Sequence, residues 1–122
     1  MAQREDLDIQ VIRAVETPYE TATIDDGKEV IINHFRVRVH NQSFDLALVD
    51  VFLPEDLELE MVKPRFPLQA NPGQKRTEHL FVKFHKDLLD VEGAQKIQVQ
   101  FRYRLKDRFE TLSKEIQLIG PM

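Results

Sequence analysis

The chain has 122 residues, 42% hydrophobic and 31% charged, with a formal net charge of −4 and no cysteine. That size and composition suit one folded domain and exclude disorder, while the missing thiols exclude disulfides, iron–sulfur ligation and a cysteine nucleophile within the chain. The negative balance offers no bulk attraction to phosphate backbones, so nucleic acid is not an expected partner.

Apolar residues recur with period 2 rather than 3.6 along most of the chain, the pattern of half-buried antiparallel strands. Leu7, Ile9 and Val11 open the series. Next, Phe35, Val37 and Val39 are expected inward and His34, Arg36 and Arg38 outward. Phe44, Leu46 and Leu48 start another run, after which apolar parity switches to Val49, Val51 and Leu53. Such a switch predicts a bulge or a strand crossing between sheets. Leu57, Leu59 and Met61 alternate with glutamates, and Leu80, Val82 and Phe84 alternate with Phe81, Lys83 and His85. A short helical turn is expected over Lys86 to Val91, before Glu92-Gly93. The clearest strand follows, with Ile97, Val99, Phe101, Tyr103 and Leu105 on one face and Gln98, Gln100, Arg102 and Arg104 on the other. Phe109, Thr111 and then Leu112, Ile116 and Leu118 predict a second slip of parity.

Turn-forming clusters separate these runs: Asp25-Asp26-Gly27-Lys28, Asn41-Gln42-Ser43, Pro54-Glu55-Asp56, Asn71-Pro72-Gly73 and Lys106-Asp107-Arg108. The fold expected is all-β: an immunoglobulin-like antiparallel sandwich of about seven strands in one domain, residues 1–122, with residues 1–6 a flexible start. No run reaches the roughly 18 apolar residues that span a bilayer, and Met1 to Asp6 lack the apolar core of a secretory signal. Either a cytoplasmic protein or a piece of a longer membrane protein fits.

Candidate chemistry is sparse. His34 and His40 are six residues apart, as are His79 and His85, so each pair spans about 20 Å along its strand, too far to share a metal ion. A metal site needs one His from each strand, and none is assigned. The carboxylates at Asp25-Asp26, Glu55-Asp56, Glu58, Glu60, Asp87 and Asp90 fall in turns or on an outward face, without the facing arrangement that acid–base catalysis needs. Asp25-Asp26-Gly27 lacks the alternating ligands of a calcium loop and reads as a tight turn. Ser43 and Ser113 lack a nucleophile elbow, and the four glycines form no phosphate-cradling loop. Asn41-Gln42-Ser43 matches a glycosylation acceptor and fits a turn equally well. Catalytic, cofactor and metal residues are therefore expected to be absent. Arg102, Arg104, Lys106 and Arg108 form a basic row, with Arg36 and Arg38 expected nearby; Arg36, Arg38, Arg102 and Arg104 are the expected partner surface.

Several sequence features occur in order: Val11-Ile12-Arg13, Pro18-Tyr19, a turn at Gly27 and the strand Phe35 to Asn41. Pro72-Gly73 and a terminal Leu118-Ile119-Gly120-Pro121 follow. Together these resemble the C-terminal immunoglobulin-like domain of the FixG family, over about Leu7 to Pro121. Ala14-Val15-Glu16 replaces a polar stretch usual in that family, and Phe35 replaces a Tyr. The resemblance implies a parent that is a polytopic inner-membrane protein, with 4Fe-4S clusters in its cytoplasmic part. It also implies a link to maturation of a haem–copper terminal oxidase through electron or copper handling. The present piece would then lie on the periplasmic face of the bacterial inner membrane, tied to the membrane through upstream helices. It would contact a protein partner at the membrane surface or the rest of its own chain. Two rivals remain at this point: a His-based metal chaperone with His34, His79 and Met61, and a free-standing adhesive or carbohydrate-binding sandwich.

Overall fold

Alternation of side chains along the chain is realised as nine strands in two antiparallel sheets, in a computed structural model that describes residues 6–14, 19–23 and 29–121, residues 22 and 23 as backbone. They are β1 (Leu7–Arg13), β2 (Glu20–Thr23), β3 (Glu29–Asn41), β4 (Ala47–Phe52), β5 (Leu59–Val62), β6 (Leu68–Ala70), β7 (Lys75–His85), β8 (Ala94–Leu105) and β9 (Arg108–Ile119). A single 3-10 turn, Lys86–Leu88, falls within the expected helical segment. One sheet has the order β1-β3-β7-β5 with β2 also on β3, and the other has the order β6-β4-β8-β9. The turn at Asp25 to Lys28, Pro18 and Val15-Glu16 lie outside the described residues, as does most of the expected loose start. Asp6, the last residue of that start, accepts a hydrogen bond from the Gln42 amide at 2.8 Å.

Inward side chains of both sheets form the core. Leu7, Ile9, Ile31, Val37, Val39, Leu80, Val82 and Phe84 come from one sheet; Val49, Val51, Leu68, Ile97, Val99, Phe101 and Leu118 come from the other. Burying one such side chain is worth about 1.5–3 kcal/mol, so the alternation in the sequence sets the dominant favourable term. β1 and β2 line the same long edge of β3, pairing Arg13 with Phe35 and Glu20 with Ile32.

The two expected parity slips do not occur. β4 begins at Ala47 and buries Ala47, Val49 and Val51, while Phe44 is 96% exposed in the preceding bend and Leu48 points outward. The larger Leu46 and Leu48 masked the small inward Ala47. β9 pairs with β8 over twelve consecutive residues, without a bulge. Its inward column is Glu110, Leu112, Lys114, Ile116 and Leu118, and the two charged members broke the apolar pattern. Phe109 lies on the outer face. The Asn71-Pro72-Gly73-Gln74 turn is as its residues require: Gly73 has φ 78°, and the Gln74 amide donates to the Asn71 carbonyl at 2.9 Å. Proline at the second position and glycine at the third specify a type II turn.

Two asparagines interrupt the apolar inward column of β3. Asn33 and Asn41 are both fully buried and fully hydrogen-bonded. The Asn33 amide donates to the Ile119 carbonyl at 2.8 Å and accepts from the Ile119 N–H at 2.9 Å. Asn41 donates to the carbonyls of Ala70 at 2.9 Å and Asp45 at 2.8 Å. Arg13 completes the first junction. Its guanidinium donates to Asn33 Oδ1 at 3.1 Å and to the Gln117 carbonyl, and lies 4.9 Å from the centre of the Phe35 ring. Burial lowers its pKa from the usual arginine value. At the chain's end the Gly120 N–H donates to the Gly93 carbonyl at 3.0 Å. A Cβ there would come within 2.7 Å of Ile31 Cδ1 and Leu89 Cδ1, so close seating explains that glycine.

Candidate functional site

Even-numbered residues of β3 and of β8 both point outward, but the two strands belong to sheets packed back to back. Arg36 and Arg38 therefore lie on the outer face of the five-stranded sheet, and Arg102 and Arg104 on the outer face of the four-stranded one. The four arginines expected as one surface are divided between opposite sides of the molecule. Lys106 sits in the β8–β9 turn, and Arg108 is engaged with Asp6 Oδ2 and lies 3.5 Å from Glu110 Oε1.

On the four-stranded face, arginines and aromatic rings interleave because β4, β8 and β9 are in register. Arg102 is opposite Asp50 and Thr111, while Arg104 is opposite Leu48 and Phe109. The Arg102 guanidinium lies 4.3 Å from the centre of the Phe52 ring, with Lys63 Nζ 4.7 Å from the same ring. Lys63 also donates to Asp50 Oδ1 at 2.6 Å, so the carboxylate opposite Arg102 is already paired. Arg104 stands 5.7 Å from the centre of the Phe109 ring, which is 76% exposed. Leu48, Phe52, Pro67, Arg102, Arg104 and Phe109 frame a groove of about 270 Å³. Exposed aromatics beside arginine are the residue types that dominate protein–protein contacts.

The five-stranded face carries all four histidines: His34 and His40 on β3, His79 and His85 on β7. His34 is opposite Phe81, and Arg36 is opposite His79, so the two histidines are diagonal neighbours. His34 Nε2 lies 2.8 Å from His79 Nδ1, and the His34 ring stacks on Phe81 at 4.4 Å with a 12° interplanar angle. Cross-strand convergence, which spacing within one strand does not show, thus holds for this one pair. Met61 does not join it, because Met61 packs inward against the core from β5. Among the described residues no three His, Asp or Glu side chains come together as a metal-holding group.

Two of the remaining candidates, Asn41 and Asp90, have structural employment. Asn41, whose amide nitrogen donates to two carbonyls in the interior, is no glycan acceptor in the folded chain. Its Oδ1 accepts from the Ser43 N–H at 3.0 Å, and Ser43 Oγ lies 2.6 Å away. Asp90 Oδ1 accepts from the Glu92 and Ala94 amides, at 2.9 and 3.0 Å, closing a turn. Glu55, Asp56, Glu58, Glu60 and Asp87 are exposed, and Asp25-Asp26 lies outside the described residues. A 4Fe-4S cluster does not fit this chain, which has no thiolate to offer. Asn33 was not singled out from the sequence. Its signal was a polar residue at inward parity between Ile31 and Phe35.

A family model described as "IG-like fold at C-terminal of FixG, putative oxidoreductase" matches residues 1–121. Among solved structures, a FixG-related protein from Vibrio parahaemolyticus superposes with a TM-score of 0.62 at 17% identity, covering 98% of this chain and 100% of that one. At that identity the likeness concerns the fold. No curated protein matches the chain.

Proposed function

Because the chain belongs to the family of immunoglobulin-like domains found at the C-terminus of FixG, we propose that it is a non-catalytic docking module of a larger membrane-bound redox protein. The observation that carries this reading is the arginine–aromatic face of the four-stranded sheet. There Phe109 is left in solvent beside Arg104, while the opposite sides of β4 and β8 are spent on the core. A rigid sandwich with its polar interior groups satisfied has little to offer chemically and much to offer as a platform.

In this reading the 4Fe-4S clusters and the membrane helices reside in other segments of the parent. Among the described residues no helix is long and apolar enough to cross a membrane. The module projects from the periplasmic face of the inner membrane and contacts a protein partner there, or the rest of its own chain. Its contribution is to hold the parent in place during electron or copper handling in oxidase maturation.

The test uses the full-length parent in its membrane. A photo-crosslinking residue at Phe109 should give a defined adduct, diminished several-fold by Arg102→Glu with Arg104→Glu. Arg36→Glu with Arg38→Glu, on the opposite face, should leave it unchanged. A cysteine at Ser113 should react with a membrane-impermeant maleimide supplied from the periplasmic side. No adduct, or equal loss from both faces, removes the docking surface; protection of Ser113→Cys from outside reagent removes the periplasmic placement.

A further inference from the structure

We propose that His34 and His79 form a two-imidazole seat for a late first-row divalent metal ion, on the side of the sandwich opposite the arginine–aromatic face. The seat is produced by register. β3 and β7 pair so that His34 faces Phe81 and Arg36 faces His79. The two histidines are therefore diagonal neighbours on one outer face, within reach of long side chains. Stacking on Phe81, at 4.4 Å, holds the His34 ring in one plane and aims its Nε2 at His79 Nδ1.

The 2.8 Å separation of those nitrogens is that of a hydrogen bond between the two imidazoles, close to the spacing of two donors on one metal ion. With metal–nitrogen bonds of about 2.0–2.1 Å, two donors at right angles lie about 2.9 Å apart, and two tetrahedral donors about 3.3–3.4 Å apart. Small turns of the two rings aim both lone pairs at a common ion, and imidazole is a suitable ligand for Cu²⁺ and Ni²⁺. Today one ring donates N–H to the other's lone pair. When a metal enters, each ring carries its proton on its far nitrogen and turns a lone pair to the ion. Two water ligands leave, both imidazoles stay neutral, and no electron is transferred. Water or a partner's ligand completes the coordination.

Neighbouring charge gives this site a signed control. Arg36 is the in-register partner of His79, so a positive charge on the same face as the seat disfavours a divalent ion there. Removing that charge tightens binding, whereas His40 and His85, at the two ends of the same face, have no part in it.

The experiment is a titration of the metal-stripped 122-residue chain with NiCl₂ and, separately, CuCl₂, read by calorimetry and visible absorption. One ion per chain is expected. His34→Gln and His79→Gln should each weaken affinity by at least about tenfold, since even outer-shell partners of a metal contribute that much. Arg36→Gln should tighten it, and His40→Gln and His85→Gln should leave it unchanged, all five variants keeping the parent urea midpoint. Paramagnetic broadening of histidine ring protons should begin at His34 and His79. Stoichiometric binding that survives the double His34→Gln/His79→Gln variant overturns the proposal. So does the absence of saturable binding by the folded parent chain, or weaker binding in Arg36→Gln.

Discussion

Asn33 and Asn41 stand eight residues apart on the inward side of β3, and each reaches across the sandwich to a different edge strand of the opposite sheet. Asn33 holds Ile119 of β9 through both its carbonyl and its N–H; Asn41 holds the Ala70 carbonyl of β6. Apolar packing between sheets is non-directional and tolerates sliding. Two buried amides with fixed partners remove that freedom and set how one sheet sits on the other.

Replacing either asparagine leaves backbone groups buried without partners, at about 1–3 kcal/mol for each group. Asn33→Ala strands both the carbonyl and the N–H of Ile119 and should cost about 2–4 kcal/mol in urea unfolding. Asn41→Ala should cost a similar amount. The two positions are about 26 Å apart along the strand, so the double variant should show near-additive losses. A loss below about 0.5 kcal/mol for Asn33→Ala, the range of ordinary surface changes, would remove its anchoring role.

A contrast between two phenylalanines checks the parity of the last hairpin. Phe101 is fully buried, so Phe101→Ala should cost about 3–5 kcal/mol. Phe109 lies on the outer face beside Arg104, so Phe109→Ala should stay within about 0.5 kcal/mol of the parent. Had the strand slipped as its sequence suggested, Phe109 would be inward and the two costs would converge.

The same residues show what the sequence made legible. β8 announced itself because five apolar residues met four polar ones in strict alternation, and its inward column is the centre of the core. β9 was harder, because Lys114 and Glu110 occupy inward parity where an edge strand is only half covered. β6, three residues long, is too short for any period to register. The division of the arginines was illegible for another reason. Parity says which side of its own strand a residue takes, but not which sheet the strand joins. Arg36 and Arg104 are both outward and face opposite ways. His34 and His79 met by the converse route: forty-five residues separate them in sequence, and register alone sets them side by side.

Two turns test backbone strain in opposite directions. Gly73 has φ 78° in a type II turn, and Gly73→Ala should destabilise by about 1 kcal/mol because a Cβ is disfavoured there even in open space. Lys106 has φ 56° in the two-residue β8–β9 connection, where glycine is the unstrained choice. Lys106→Gly should raise stability by a few tenths to about 1 kcal/mol, read as a higher urea midpoint at unchanged slope. A drop on Lys106→Gly would mean that the lysine side chain contributes more than its backbone costs.

Arg13 gives a prediction about pH as well as magnitude. Its planar guanidinium reaches Asn33 and the Gln117 carbonyl together while lying over Phe35, three contacts that a lysine ammonium reproduces only in part. Arg13→Lys should therefore cost about 1.5–3 kcal/mol, the worth of one hydrogen bond to a charged donor. Burial lowers the folded-state pKa of Arg13, so the unfolded chain holds that proton more tightly than the folded one does. The resulting cost is present at every pH below the folded value and is relieved only as pH rises through it. Both arginine and the replacing lysine stay charged between about pH 5 and 9. The stability difference between parent and Arg13→Lys should thus be flat across that window in parallel urea titrations. A difference that grows or vanishes within it would show that the arginine acts through a titrating neighbour rather than through the shape and reach of its own fork.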